Sequence, residues 1–191
     1  MTSPQRTKWN EKHRGKTTPG DPEPFVIEML PLLPPGGLVL DVAAGRGRNA
    51  IPLARAGMRI VAADFSEVAL HVLGELARSV RLSIWPLLMD FDKFAFRDQS
   101  LDAIVNVNFL DRALFPQFIG ALKPGGILLA ETFLIDQAGS GHPNDPRFML
   151  QHHELRELMT GLELLRYREG LVIYPDGSRA WRASAVARRN R

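Results

Sequence analysis

The segment Leu38–Ala54, LVLDVAAGRGRNAIPLA, constrains this chain more than any other. Leu38, Val39 and Leu40 lead to Asp41, and the chain then enters a glycine-containing turn followed by a second apolar stretch. A short apolar run of this kind reads as a buried parallel strand. Gly45 and Gly47 let backbone pass close to a ligand where a Cβ would collide. The helix expected from about Arg48 to Ala56 directs unpaired N–H groups back at the turn. The phosphate-loop pattern GxxxxGK[ST] is absent, and the dinucleotide fingerprint GxGxxG is met only as Gly45-x-Gly47-x-x-Ala50.

The following strands reinforce this reading. Arg59 to Ala63 is a second short apolar strand that ends at Asp64, with Phe65 and a helix N-cap at Ser66 behind it. An acid at the tip of the second strand is where a doubly wound fold reads ribose hydroxyls. Leu82 to Met89 is a third apolar run, ending at Asp90 beside Phe91 and Asp92. Three consecutive strands that each end in an acid, with the glycine turn first, point to a nucleoside site at the edge where such sheets bind ligands.

These residues resemble the class I S-adenosylmethionine-dependent methyltransferases, over nearly the whole chain from about Phe25 to Arg189. Asp41-Val-Ala-Ala-Gly45-Arg-Gly47 resembles that family's first motif, and Leu122-Lys-Pro-Gly-Gly126-Ile-Leu-Leu resembles its turn and fifth strand. The resemblance implies that the loop Ala43, Gly45, Arg46 and Gly47 lies under the methionine part of S-adenosylmethionine. It further implies that Asp64 accepts the ribose hydroxyls, that the Asp90–Phe91 pair reads adenine and that Phe65 packs on the adenine face. The methyl group then lies over the ends of strands one and four, near Asn106, Asn108 and Phe109. The family's first motif has glycine where this chain has Ala43. A closer resemblance is to the small bacterial methyltransferases similar to tellurite-resistance proteins. It is carried by Trp9-Asn-Glu-Lys-His13, by the loop GRGRNA, and by Pro146-Arg-Phe-Met-Leu150 through Glu154-Leu155.

The remaining elements complete an alternating α/β order. Glu23 to Leu33 reads as an amphipathic lead-in helix closed by Pro34, Pro35, Gly36 and Gly37. Asp102 to Val107 is a fourth strand, Arg112 to Leu122 a helix, and Gly126 to Thr132 a fifth strand. Leu162 to Tyr167 and Ala180 to Ala187 flank a turn at Pro175-Asp176-Gly177-Ser178 and read as a hairpin. The expected fold is a Rossmann-like doubly wound α/β sheet. The resemblance implies seven strands in the order 3-2-1-4-5-7-6, with strand 7 antiparallel. Residues 1–22 form an N-terminal segment, expected as a cap over the cofactor or as a frayed tail, and residues 23–191 form a single domain.

Composition narrows the function. The pI of about 9.6 invites a nucleic-acid reading, yet the basic excess lies in the ends: residues 1–16 and 179–191 together are net +9, and residues 17–178 are net −6. A nucleic-acid enzyme more often carries a basic face on its body. The Asn-Pro-Pro-Tyr signature of amino-group methyltransferases on nucleic acid is missing, and Asn106-Val-Asn108-Phe109 does not replace it. RNA and protein are therefore minor acceptor readings beside a small molecule such as a thiol, a chalcogen oxyanion or another nucleophile. The chain has no cysteine, which excludes disulfides, thiolate nucleophiles and zinc–cysteine sites. No apolar stretch approaches the roughly 20 residues that span a bilayer, and no signal-peptide core opens the chain, so a cytoplasmic location is expected.

No residue announces itself as catalytic. Tyr174, Arg179 and Arg182 belong to a hairpin expected on the acceptor edge, where they reach an anionic acceptor or, more commonly, are simply solvated. His152 is a candidate base by its place ahead of a helix at that edge. His152 and His153 are adjacent and cannot share a helix face as an i, i+4 metal pair does, so no metal is expected. The 18-residue connection Phe133–Leu150 contains Gly139, Gly141, Pro143 and Pro146 and is expected to be a lid. A nicotinamide-dependent oxidoreductase shares the strand-turn-helix and Asp64 but leaves Asp41 without a job. A non-catalytic nucleoside-binding module is the other alternative, with Ala43 as its mark.

Overall fold

The computed structural model describes residues 3–137, 143 and 145–191. Helix α1 (Ser3–His13) and the short α2 (Pro24–Met29) precede an alternation of strands and helices. These are β1 (Leu38–Val42), α3 (Ala50–Arg55), β2 (Arg59–Asp64), α4 (Glu67–Ser79), β3 (Ile84–Leu88) and β4 (Leu101–Val107). They continue as α5 (Leu114–Ala121), β5 (Leu122–Phe133), α6 (Glu154–Leu158), β6 (Leu162–Ile173) and β7 (Arg179–Arg189). The strands form one sheet in the order β3-β2-β1-β4-β5-β7-β6. Its pairings are parallel except those of β7, which runs antiparallel to β5 and β6. This is the Rossmann-like order that the resemblance implied.

Period-2 alternation sorts the core into one cluster on each face of the sheet. Val39, Ile60, Ala62, Val105 and Leu129 pack with Ile51, Leu53, Leu70 and Leu73 of α3 and α4. Leu40, Val42, Ile104, Leu128 and Ala130 pack with Phe115 and Phe118 of α5 and Leu155 of α6. β1 and β4 are covered on both sides and nearly every residue in them is buried, which is why they read as continuous apolar runs. Their C-terminal tips end side by side, with Val42 opposite Asn106.

Several elements differ from the sequence reading. The lead-in helix stops at Met29 and tightens into a 3-10 turn, Leu30–Leu32, because Pro31 cannot donate the next helical bond. α3 starts at Ala50, since the turn before it holds Gly45 and Gly47 at positive φ. In β3 only Ile84 is buried, and Trp85 is 53% exposed. β3 is an edge strand, marked by Pro86, and the crossover to β4 carries the 3-10 turn Phe91–Lys93 rather than an α-helix. β6 and β7 are longer than read, because their interleaved arginines and glutamates obscure the period. The expected lid falls partly on 138–142 and 144, outside the described residues. Its described ends are joined by a Leu134–Leu150 bridge, with the Arg112 guanidinium donating to the Arg147 and Met149 carbonyls. Among the described residues, no helix is long and apolar enough to cross a membrane.

Candidate functional site

The loop leaving β1 is held by its own backbone. Ala44 N–H donates to the Ala63 carbonyl at 3.0 Å and Gly47 N–H to the Ala44 carbonyl at 2.9 Å. Gly47 has φ +84°, and a Cβ there would meet Leu73 Cδ1 at 2.3 Å, so this position takes glycine for both conformation and space. Ala43 adopts φ +53°, where an L residue is strained by roughly 1–2 kcal/mol. Ala43→Gly removes that strain while giving back roughly 0.4–1 kcal/mol of unfolded-state freedom. The net expectation is a gain of about 0.5–1 kcal/mol, read from the urea midpoint; a loss would mean that the Ala43 methyl packs better than its backbone is strained.

Asp64 closes β2 and folds onto this loop. Its Oδ2 accepts the Gly45 N–H at 2.8 Å and its Oδ1 accepts the Ser66 N–H at 2.7 Å. Burial raises its pKa against the pull of those backbone donors. Ser66 caps α4, its hydroxyl accepting the Ala69 N–H at 3.2 Å. Asp41 is buried under the loop, and desolvation lifts its carboxyl to about 7, Arg48 opposing and Asp64 adding to the shift. Its Oδ2 and the Oδ1 of Asn106 are buried acceptors with no partner among the described residues. Uncompensated buried acceptors are costly, and both sit at the tips of the adjacent strands β1 and β4.

Aromatic residues follow the C-terminal ends of β2 and β3. Phe65 and Phe91 are both buried, Phe91 packing on Phe109 with ring centroids 5.5 Å apart. Asp90 starts the 3-10 turn, its Oδ1 accepting the Asp92 N–H at 3.3 Å. The N-terminal segment lies against the loop: His13 Cε1 is 3.6 Å from where a Gly45 Cβ would stand. Arg46 reaches the His13 ring at 2.9 Å and the Thr18 carbonyl at 2.5 Å. Asn10 accepts the Ser66 hydroxyl at 2.8 Å. Burial, then the Arg46 charge beside it, lowers His13 to about 4, so its ring is neutral at pH 7.

The hairpin edge, where the acceptor was expected, carries a charge network. Arg182 is 2% exposed, with its guanidinium 4.2 Å over the Phe133 ring. It donates to Glu23 Oε1 at 2.8 Å, to Glu131 Oε1 at 3.4 Å and to the Asn108 side chain. Tyr174 O–H donates to Glu23 Oε1 at 2.8 Å. Burial pushes Glu23 up, but Arg182, Arg48 and Tyr174 outweigh it and hold the carboxyl low; at Glu131 burial wins and the pKa rises. Of the expected acceptor residues, Arg182 is therefore internal, while Arg179 is exposed. His152 is exposed between Asp136 (2.9 Å) and Glu169 (3.3 Å), which raise its pKa. Glu23 and Glu131 went unnoticed in the sequence. Their only signals are an acid between two prolines, Pro22-Glu23-Pro24, and a lone acid inside the apolar run Ile127–Phe133.

Comparison with known proteins follows the same lines. A family model described as a methyltransferase domain matches residues 39–126. The demethylmenaquinone methyltransferase of Renibacterium salmoninarum is 33% identical over 158 residues, covering 77% of this chain and 61% of that protein. The chain thus spans less than two thirds of that relative's length. Among solved structures, TehB from Haemophilus influenzae superposes with a TM-score of 0.75 at 20% identity, covering 97% of this chain and 67% of that one. A Burkholderia thailandensis 1,6-didemethyltoxoflavin-N1-methyltransferase with bound 1,6-didemethyltoxoflavin and S-adenosylhomocysteine gives 0.73 at 17% identity, covering 99% and 87%. At these identities the structural likeness speaks for the fold.

Proposed function

We propose that the chain is a class I S-adenosylmethionine-dependent methyltransferase, a reading supported by the methyltransferase-domain match, the 33% identical relative and the sheet order, and that it moves a methyl group from S-adenosylmethionine to a small-molecule acceptor by in-line displacement. The observation that carries this reading is the unpartnered buried acceptor Asp41 Oδ2 at the tip of β1, under a loop that holds Gly45 and Gly47 at positive φ. It suits a cationic amino-acid group. S-adenosylmethionine, when bound, supplies an electrophilic methyl group on a sulfonium.

The chain's own residues then bind and orient. Ala43, Gly45, Arg46 and Gly47 cradle the methionine part, Asp64 takes the ribose hydroxyls, and Phe65, Asp90 and Phe91 form the adenine end. The described part of the N-terminal segment, residues 3–22, covers the loop, a role supported by the His13–Arg46 and Asn10–Ser66 contacts. Positioning supplies most of the catalysis, since holding two reactants in line is worth on the order of 7–11 kcal/mol in favourable cases. A base is needed only for an acceptor that arrives protonated. The acceptor is a thiol, chalcogen oxyanion or similar nucleophile. An acidic body and a relative whose name specifies a small acceptor, demethylmenaquinone, support that choice over nucleic acid or protein. The test is S-adenosylhomocysteine release with panels of thiols, chalcogen oxyanions, quinols, RNA and ribosomal protein. Release above the acceptor-free rate with a small molecule is expected, and release with RNA or protein alone would overturn the acceptor class.

A second reading rests on Ala43: a strained loop suits a nucleoside-binding module that binds without turnover. A pH titration addresses the binding half of both readings. Asp41 must ionise to meet a cation, and its folded pKa is about 7. Affinity for S-adenosylhomocysteine therefore rises with pH, by about ten-fold between about pH 6 and pH 8. Stability runs the opposite way: a carboxyl raised from 3.8 to about 7 contributes stability that is lost as pH climbs through that window. Asp41→Asn flattens both trends, and an unchanged affinity profile in that variant would remove Asp41 from the site.

A further inference from the structure

Glu23 occupies a position that the family likeness does not single out. Pro22 and Pro24 flank it, and the residue before a proline is confined to extended backbone; Glu23 sits at φ −66°, ψ 126° with Pro24 opening α2. The backbone at this point is stiff, and the carboxylate it presents is 3% exposed. Its Oε2 accepts from Arg48 at 2.6 Å and from the Asn108 amide at 3.4 Å, while its Oε1 accepts from Arg182 and from the Tyr174 hydroxyl, both at 2.8 Å. Its own N–H donates to Asn49 Oδ1 at 3.0 Å.

These partners come from every part of the site. Arg48 and Asn49 belong to the cofactor loop, Asn108 to the tip of β4, Tyr174 to the end of β6 and Arg182 to β7. No other described carboxylate bonds both the loop and the hairpin. Building a satisfied charge in a buried place is demanding, and this one stands between the loop after β1 and the β6–β7 hairpin. Resting on the methyltransferase reading above, we propose that Glu23 is a positioning residue. It holds the cofactor loop and the acceptor hairpin as one unit, so that a nucleoside bound on the loop also orders the hairpin. Coupling of this kind needs a shared element whose arrangement both sites bias, and Glu23 is that element.

Hydrogen exchange on the full chain, with saturating S-adenosylhomocysteine as the probe, tests this without knowledge of the acceptor. In the wild type the probe slows exchange across residues 174–183 by about five-fold or more, the lower end of ordinary site-to-site coupling. In Glu23→Gln the probe still binds, and hairpin protection falls below about two-fold. The variant keeps its fold because Glu131 remains 3.4 Å from the Arg182 guanidinium. Should Glu23→Gln fail to fold, Arg48→Met removes only the carboxylate's bond to the loop, on a side chain already one-third exposed and with the Glu23 N–H still held by Asn49, and is expected to lose the hairpin protection likewise. Protection that persists in a folded variant means direct contact between probe and hairpin and overturns the proposal. Binding without any hairpin protection in the wild type overturns it too, with the methyltransferase reading intact. A wild type that does not bind the probe overturns both.

Discussion

Asp64→Ala lowers the affinity for S-adenosylhomocysteine by about 100-fold or more while the chain stays folded. The carboxylate has room for about four hydrogen bonds, and the Gly45 and Ser66 N–H groups use two of them. The remaining capacity suits two ribose hydroxyls. Charge-assisted bonds are worth about 1.5 kcal/mol or more each, and two of them amount to about 3 kcal/mol, or roughly 100-fold. The variant also frees the Gly45 N–H, which loosens the loop and adds to the loss. Titration calorimetry beside a circular dichroism check reads this result. Wild-type affinity in Asp64→Ala would mean that the tip of β2 does not read the ribose.

The largest stability effect belongs to Arg182→Met. The substitution fills similar space but leaves Glu23 and Glu131 buried without their shared guanidinium. Breaking a buried ion pair from one side costs about 3–5 kcal/mol. For a chain of this length that lowers Tm by about 6–20 °C. Both carboxylates then hold their protons to higher pH than in the wild type, so part of the loss returns as the solution is acidified. A change under about 1 kcal/mol would show that the network is solvated in practice and that Arg182 is free to meet an acceptor after all.

What was legible in the sequence and what was not divide along contact distance. Asp41, Gly45, Gly47 and Asp64 lie within two neighbouring strands and one turn, where local chemistry dictates residue type. A Cβ at Gly47 collides with Leu73, and the Asp64 carboxylate caps the very next turn. The sheet order followed from a family resemblance that those residues carried. The acceptor edge is different. Glu23 and Arg182 meet across 159 positions, and nothing near either residue marks the meeting. Arg182 is one of five arginines between 179 and 191, a segment that reads as solvated, yet antiparallel pairing with β5 turns it inward beside Glu131. The exposure of β3 was invisible for a related reason: Trp85, Leu87 and Leu88 are apolar, and only the missing crossover helix leaves them uncovered.

Calorimetric titration of the purified chain with S-adenosylmethionine, S-adenosylhomocysteine and NAD tests the central claim most directly. The account predicts that both sulfur nucleosides bind at the loop between β1 and α3, that both bind about 100-fold or more weakly in Asp64→Ala, and that NAD does not bind. Binding of NAD alone, or of none of the three, would contradict it.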